Sequence, residues 1–209
     1  MGSPFRVGGI ILAIVLIAIS QRYLDIGIAL FSEEMLRSHG MLASRASDIP
    51  DLLLPIFCVI TCASWLAYFH LERRGGPALH ARFFLFVGWT IPVAFFLKSV
   101  LKYMFGMINT RAWLAHRGSY GFHWFHGGSD YSGFPSGHMV MFTVLMIAIG
   151  RFFPRLRLAC LVFLLLLAAA LLVTDYHFLS DVIAGFLLGI LVDVLVHHFL
   201  VMAKGGDGG

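Results

Sequence analysis

The chain has 209 residues, of which 59% are hydrophobic and only 12% are charged, and its mean hydropathy is +0.88. A soluble domain carries about 25% charged residues, so this composition excludes a water-soluble globule and indicates a protein that spans a membrane. The net charge is +4, and no basic face remains once the apolar segments are set aside, which argues against nucleic-acid binding.

Six apolar runs separated by polar breaks predict an all-α protein with six transmembrane helices in a bundle, since a spanning helix needs roughly 20 apolar residues. The first run begins near Val7 and passes Ser20. Asp25 interrupts it, so we expect it to continue toward Phe31 in a broken or tilted form. The other five runs cover residues 52–71, 83–105, 138–153, 156–174 and 179–202.

The polar segments between these runs are short. Residues 32–50 are polar enough to predict a short helix on the membrane surface, and residues 205–209 predict a disordered tail. Cys58 and Cys62 are four residues apart, but no further ligands accompany them. We therefore predict membrane-buried small residues there and no metal pair.

Basic residues between the runs predict the orientation, because short cytoplasmic loops are enriched in Lys and Arg. With six crossings, eight basic residues fall on one side: Arg6, Arg73, Arg74, Arg82, Arg151, Arg155, Arg157 and Lys204. Both termini are therefore predicted to be cytoplasmic, in what we expect to be a bacterial cytoplasmic membrane. Residues 106–137 and the turn at His177 then share the non-cytoplasmic face.

The loop at residues 113–131 is rich in aromatic residues and histidines. An aromatic belt at the membrane interface is the ordinary interpretation, and a lid over a bound head group is the alternative. His123 and His126 are three residues apart, but too few ligands accompany them for a metal site. No metal or cofactor is predicted.

The sequence Pro135-Ser136-Gly137-His138 stands where this polar loop gives way to an apolar run, and it predicts a helix start. Ser136 is a suitable N-cap, and the free backbone N–H groups of such a helix start bind a phosphate oxygen with help from the helix dipole. Gly137 lets the backbone approach a ligand closely. His138 at this edge could donate a proton to a leaving oxygen.

A second polar cluster lies between the fifth and sixth runs. His177 and Asp181 are four residues apart, so they share a face if the last helix begins early enough. The carboxylate would then hold one imidazole tautomer and leave the other nitrogen free to attack phosphorus. Singly, each histidine could equally be a hydrogen-bonded interfacial residue. Together with His138, on one side of the membrane, they predict a phosphoryl-transfer centre.

These residues resemble the motifs of the type 2 phosphatidic acid phosphatase superfamily, which includes membrane lipid phosphatases. The family pattern is a lysine followed by Arg-Pro, then Pro-Ser-Gly-His, then Ser-Arg, five residues, His, three residues and Asp. Residues 135–138 match the second element in full, and His177 and Asp181 match the latter half of the third. The resemblance covers residues 91–189, which we take as the catalytic core of a single domain over residues 1–204.

The resemblance implies a role for each matching residue. His177 would be the nucleophile that forms a phosphohistidine, Asp181 would orient it, and His138 would protonate the leaving group. Ser136 and Gly137 would contact the phosphate. The resemblance also implies no metal, because cationic side chains take that role in the family.

Two elements depart from the family pattern. The Ser-Arg of the third element falls at Ala170 and Leu171, so a phosphate-binding arginine is absent there. Lys102 fits the lysine of the first element, but Arg111 follows it after eight residues instead of six, and Ala112 stands where proline is expected.

The absence of a cationic side chain from the phosphate site would slow the reaction. A transferring phosphoryl group spreads negative charge over three equatorial oxygens, and cationic side chains stabilise that charge. We expect Lys102 and Arg111 to bind the phosphate. We also expect one further neighbour to help replace the arginine that is absent at Leu171. The candidate neighbours are Lys98, Arg117 and His126. Lys98 lies one turn before Lys102 and is expected to support it from behind.

The sequence thus predicts an integral membrane phosphatase or pyrophosphatase that acts on a lipid phosphate at the non-cytoplasmic face. Its substrate would be a lipid phosphate monoester or diphosphate drawn from the surrounding membrane lipids, and no protein partner is indicated. Two alternatives stay open: a lipid phosphotransferase that uses the same histidines, and a non-catalytic lipid-binding or transport protein.

Overall fold

The structure, a computed structural model, describes residues 3–38 and 49–205 and is built from helices. They are α1 (Ser3–Ile19), a π-helical turn (Ser20–Leu24), α2 (Asp25–Ser38), α3 (Ile49–Arg74), α4 (Ala78–Phe105), α5 (Thr110–His116), α6 (Gly137–Phe152), a 3₁₀ turn (Pro154–Leu156), α7 (Arg157–Val173) and α8 (Leu179–Gly205). No strand occurs in these two ranges, so the all-α prediction is confirmed.

Five helical stretches of the described residues are long and apolar enough to cross a membrane, and α6 is a shorter apolar helix beside them. The five are Val7–Ser38, Leu53–Arg74, Ala78–Phe105, Pro154–Val173 and Leu179–Met202. The prediction of an integral, polytopic membrane protein is therefore confirmed.

The helix α6 is short for a membrane helix. Its 16 residues give a length of about 24 Å at 1.5 Å per residue, whereas the hydrocarbon layer is about 30 Å thick. Its first residue, Gly137, lies beside Lys98 and Lys102 of α4, while α4 itself continues to Phe105. The start of α6 is therefore recessed below the end of α4.

The first span is one continuous helical stretch, whereas the sequence predicts a broken or tilted one. It runs as one helical stretch from Val7 to Ser38, and the π-helical turn before Asp25 accommodates the polar residues without a break. Residues 32–38, which we expected in a surface helix, belong to this span instead. Residues 49–50 of that expectation begin α3, and Gly205 of the expected tail ends α8. Residues 39–48 and 206–209 lie outside the described residues.

Two glycines let α8 approach α6 closely at the centre of the bundle. A Cβ atom at Gly185 would lie 2.7 Å from the carbonyl oxygen of Ser136, and one at Gly189 would lie 2.6 Å from Cβ of Thr143. Small residues four apart are typical of close helix packing in membranes. The core around this crossing includes Ile91, Ala94, Val140, Val144, Val192 and Val196.

The two ends of the bundle differ in character. At one end, Arg151 of α6 forms an ion pair with Asp193 of α8, and Phe83 of α4 packs against Phe152. At the opposite end, the C-terminus of α4, helix α5, the N-terminus of α6 and the turn before α8 converge. Every candidate site residue lies at this second end.

Candidate active site

A cavity of about 720 Å³ opens at the second end of the bundle, between α3, α4, α5, α6 and the turn that precedes α8. The residues that line it include Lys98, Lys102, Arg111, Gly137, His138 and His177. The fold thus brings most of the candidate residues to one cavity. Ser136 and Asp181, both fully buried, lie behind its wall.

The expected helix start is present at α6. Ser136 is the N-cap residue, and its hydroxyl accepts a hydrogen bond from the N–H of Met139 at 3.4 Å. The N–H of Ser136 donates to the carbonyl of Asp181 at 3.0 Å. These bonds join the start of α6 to the first turn of α8, and they direct the Ser136 hydroxyl to its own helix.

The two histidines face each other across the cavity. The ring centroids of His138 and His177 are 6.1 Å apart, so both rings can contact one phosphoryl group between them. Tyr176 packs edge-on against His138 at 5.1 Å and against His177 at 5.5 Å. Both imidazoles are largely buried, so their orientations are fixed by packing.

Asp181 stands behind His177. Its Oδ2 lies 3.4 Å from Nδ1 of His177, which is longer than an ordinary hydrogen bond, and Nδ1 has no hydrogen-bond partner among the described residues. The same Oδ2 accepts the N–H of Phe178 at 3.0 Å. Burial lowers the pKa of His177 well below its usual value, and the charge of Lys102 acts in the same direction. At neutral pH the imidazole is therefore uncharged, as a nitrogen nucleophile must be.

Two lysines of α4 flank the start of α6. Nζ of Lys102 donates to the carbonyl of Ser132 at 2.5 Å, and Nζ of Lys98 lies 4.2 Å from the ring centroid of Phe95. A Cβ atom at Gly137 would lie 3.6 Å from Nζ of Lys98 and 3.7 Å from Cε of Lys102. The positive charges therefore stand beside the free N–H groups of the helix, where an anion binds.

Arg111 reaches the same cavity from α5. Its Nη2 donates to the carbonyl of Thr174 at 3.3 Å, and its guanidinium lies 4.6 Å from the ring centroid of Tyr176. Arg111 thus meets the turn that follows Leu171, the position at which the arginine is absent. Leu171 itself is buried in an apolar cluster with Val182.

The other two neighbours that we considered as replacements lie elsewhere. Arg117 forms an ion pair with Glu33 at 2.7 Å, and the ring of His126 packs against Tyr131 at 4.4 Å. Neither lines the cavity, whereas Lys98 does. The cations at the cavity wall are therefore Lys98, Lys102 and Arg111.

Asp25 is a structural residue that the sequence reasoning noted only as an interruption of the first span. It accepts the N–H and the hydroxyl of Ser180, at 2.9 and 2.5 Å, and the hydroxyl of Tyr120 at 2.6 Å. Its exposed fraction is 1%. It therefore holds the first turn of α8, which carries Asp181. The available signal was the charge itself, since a carboxylate in a span needs partners.

The loop before α6 turns its aromatic tip away from the cavity. Trp124 and Phe125 are exposed, and neither lines the cavity, which fits the interfacial belt better than a closed lid. His123 and His126 both pack edge-on against Tyr131. In the part of the chain that the structure describes, no group of three His, Cys, Asp or Glu residues is placed to hold a metal ion.

Comparison with known proteins agrees with the motifs. The family model of the PAP2 superfamily matches residues 83–204, which contain all the candidate residues. A similar solved structure is a transmembrane PAP2-type phosphatidylglycerolphosphate phosphatase from Bacillus subtilis, at 18% sequence identity and a TM-score of 0.42, with 91% of this chain and 94% of that chain covered. No curated protein matches the chain.

Proposed function

This chain belongs to the PAP2 superfamily, and from that premise we propose that it hydrolyses a lipid phosphate monoester or diphosphate through a phosphohistidine. The observation that carries the proposal is the pairing of His138 and His177 across one cavity, with ring centroids 6.1 Å apart. Lys102 and Arg111 line the same cavity, which supports an anionic substrate. The family match supports the phosphatase class.

In the first step, the neutral imidazole of His177 attacks phosphorus. An N–P bond forms while the P–O bond to the leaving group breaks. His138, which the negative charge of the bound phosphate keeps in its protonated form, gives its proton to the leaving oxygen. Lys102, Arg111 and the N–H groups at the start of α6 neutralise the charge that develops on the equatorial oxygens. Asp181 keeps the attacking ring in position from behind.

In the second step, water replaces the histidine. His138, now neutral, accepts a proton from the water, whose oxygen attacks the phosphohistidine, and the P–N bond breaks to release inorganic phosphate. Each residue thus returns to its starting protonation state. Cationic side chains supply the charge neutralisation in every step, so the proposal needs no metal ion.

The test is phosphate release by the purified protein in detergent, measured over a panel of lipid phosphates beside the variant His177→Ala. We expect the variant to lose activity by at least about 10³-fold, as nucleophile deletions do. The matched control is His123→Ala, a histidine outside the cavity, which is expected to retain full activity.

The outcomes separate the proposal from its alternatives. Acceptor-dependent turnover without free phosphate would make the protein a phosphotransferase. No activity of the wild type on any lipid phosphate, or equal activity of the wild type and His177→Ala, would contradict catalysis by this histidine and favour a lipid-binding role.

A further inference from the structure

We propose that Lys98 forms a second phosphate subsite on the leaving-group side of the cavity, so that the preferred substrates are lipid diphosphates. This inference rests on the proposed function, and it names the substrate class of that same site. It differs from our expectation that Lys98 only supports Lys102.

Lys98 lies one helical turn deeper in the membrane than Lys102. Its side chain lines the cavity, and its ammonium lies between the start of α6, at Gly137, and the ring of Phe95. Because α4 runs from the opposite end of the bundle toward the site, the order from the surface inward is Lys102, Lys98, Phe95.

The three cations are divided between the two histidines. Arg111 donates to the carbonyl of Thr174 and lies against the ring of Tyr176, the neighbour of His177. Lys98 and Lys102 lie beside Gly137, the neighbour of His138. Arg111 therefore belongs to the attacking side, and Lys98 belongs to the side of the proton donor. Since His138 protonates the leaving oxygen, Lys98 stands beside the leaving group.

The apolar part of the cavity begins next to Lys98. Its wall there is formed by α3, α4 and α6, and the residues are Leu53, Leu54, Phe57, Phe95 and Met141. A lipid chain would occupy this part, so the group that joins the chain to the reacting phosphorus would pass Lys98. In a diphosphate lipid that group is a second phosphate, whereas in a monoester it is an uncharged ester oxygen.

The ammonium of Lys98 needs an anionic partner. Among the described residues its nitrogen donates to no acceptor, and its contact is with the face of the Phe95 ring. An unpaired cation at membrane depth is costly and marks a functional position. The acidic residue that lines the cavity, Asp130, belongs to the polar loop between α5 and α6. A phosphate group of the substrate would be the anion that pairs with the ammonium of Lys98.

In the proposed reaction, the terminal phosphoryl group of the diphosphate passes to His177 and then to water. His177 forms a bond to the terminal phosphorus, the bond from that phosphorus to the bridging oxygen breaks, and the bridging oxygen receives the proton of His138. The leaving group is the lipid monophosphate, whose charge Lys98 stabilises. Water then releases inorganic phosphate from His177.

The experiment compares two prenyl lipids of the same chain length, one a diphosphate and the other a monophosphate, with purified full-length protein in the same detergent. We expect the wild type to show at least about a tenfold higher kcat/KM for the diphosphate, because a lost charged contact costs at least this factor. Lys98→Gln should lower this ratio by about tenfold or more, and Lys98→Arg should largely restore it.

The control is Ser99→Ala, which changes the next residue of α4, a side chain that bonds to its own helix and does not line the cavity. It should leave the ratio unchanged. Equal kcat/KM of the wild type for both lipids, or an equal loss on both in Lys98→Gln, would overturn the inference, and the second result would assign Lys98 to the transferred phosphoryl group. Failure of the wild type on both prenyl lipids, with activity on another lipid phosphate, would overturn the inference and leave the proposed function standing. Failure on the whole panel of lipid phosphates would contradict the proposed function itself.

Discussion

Arg111 lies near the position at which the family pattern has an arginine and this chain has none, and we propose that it takes over that role. The family pattern requires an arginine at the residue that is Leu171 here, in helix α7. Arg111 approaches from α5 and donates to the carbonyl of Thr174, three residues beyond that position. A guanidinium at this location can bind two phosphate oxygens, which a lysine cannot do in the same geometry.

We predict that Arg111→Ala lowers kcat/KM for a lipid phosphate by about 100-fold, as the loss of one donor to a developing charge does. Arg111→Lys should recover only part of this loss, because the ammonium lacks the planar fork. Steady-state phosphate release checks both variants. Arg117→Ala serves as the control, since Arg117 pairs with Glu33 outside the cavity. Unaltered kinetics in Arg111→Ala would refute the compensation.

The candidate residues that could be found from the sequence depend on short spacings. His177 and Asp181 are one helical turn apart, and His138 follows a recognisable helix start. Local spacing is therefore enough to identify these three residues as candidates. Asp25 could not be found in this way, because its partner Ser180 is 155 residues away. Only the folded chain brings these two together.

At the scale of helices, α2 and α8 are joined by the carboxylate of Asp25. A helix N-terminus leaves backbone N–H groups without partners, and a negative charge there is favourable. Asp25 meets this need for the N–H of Ser180, although it belongs to a helix outside the region matched by the family model. The first span therefore helps to position the turn that holds His177.

We predict that Asp25→Ala destabilises the protein by about 1–3 kcal/mol for each donor left buried without an acceptor, and that it lowers kcat as α8 loses its anchor. Thermal unfolding in detergent and phosphate release measure the two effects. Asp25→Asn, which keeps one oxygen acceptor, should be milder on both.

The control for this prediction is Ser64→Ala, a buried hydroxyl that bonds only to the carbonyl of Ile60 in its own helix. It should change stability little and activity not at all. If Asp25→Ala matched this control, Asp25 would have no role in holding α8.

The helices were predictable to different degrees. The apolar runs predicted the long helices within a few residues, because membrane thickness sets their length. Helix α5 was not predicted, since its seven residues carry no apolar run. Its signal is local: the side chain of Asn109 accepts the N–H of Ala112 at 2.8 Å and caps the helix.

At the scale of the whole molecule, the bundle has one end rich in arginine and one end that holds the cavity. Arg73, Arg74, Arg151 and Arg155 all belong to the first end or to its connections. The excess of positive charge in short cytoplasmic loops therefore supports a cavity on the non-cytoplasmic side. The orientation stays a prediction, and it rests on charge placement, which does not depend on details of packing.

We predict that a thiol at Gly118, in the loop beside the cavity, is labelled from outside intact cells by a membrane-impermeant reagent. Gly118→Cys in a variant without the native cysteines is suitable, since a side chain there meets nothing within 4 Å. Arg155→Cys, at the opposite end, should be labelled only after permeabilisation. The reverse labelling pattern would invert the orientation.

The shortness of α6 ties the reaction to the thickness of the surrounding bilayer. Since Gly137 begins a helix of about 24 Å, which is shorter than a typical hydrocarbon layer of about 30 Å, we expect the histidines to lie within that layer and the polar loop before α6 to form a path for water. Longer acyl chains in the host membrane would bury this path more deeply, and shorter ones would expose it. The access of water to the proposed phosphohistidine, and with it turnover, would then vary with membrane lipids that are not substrates.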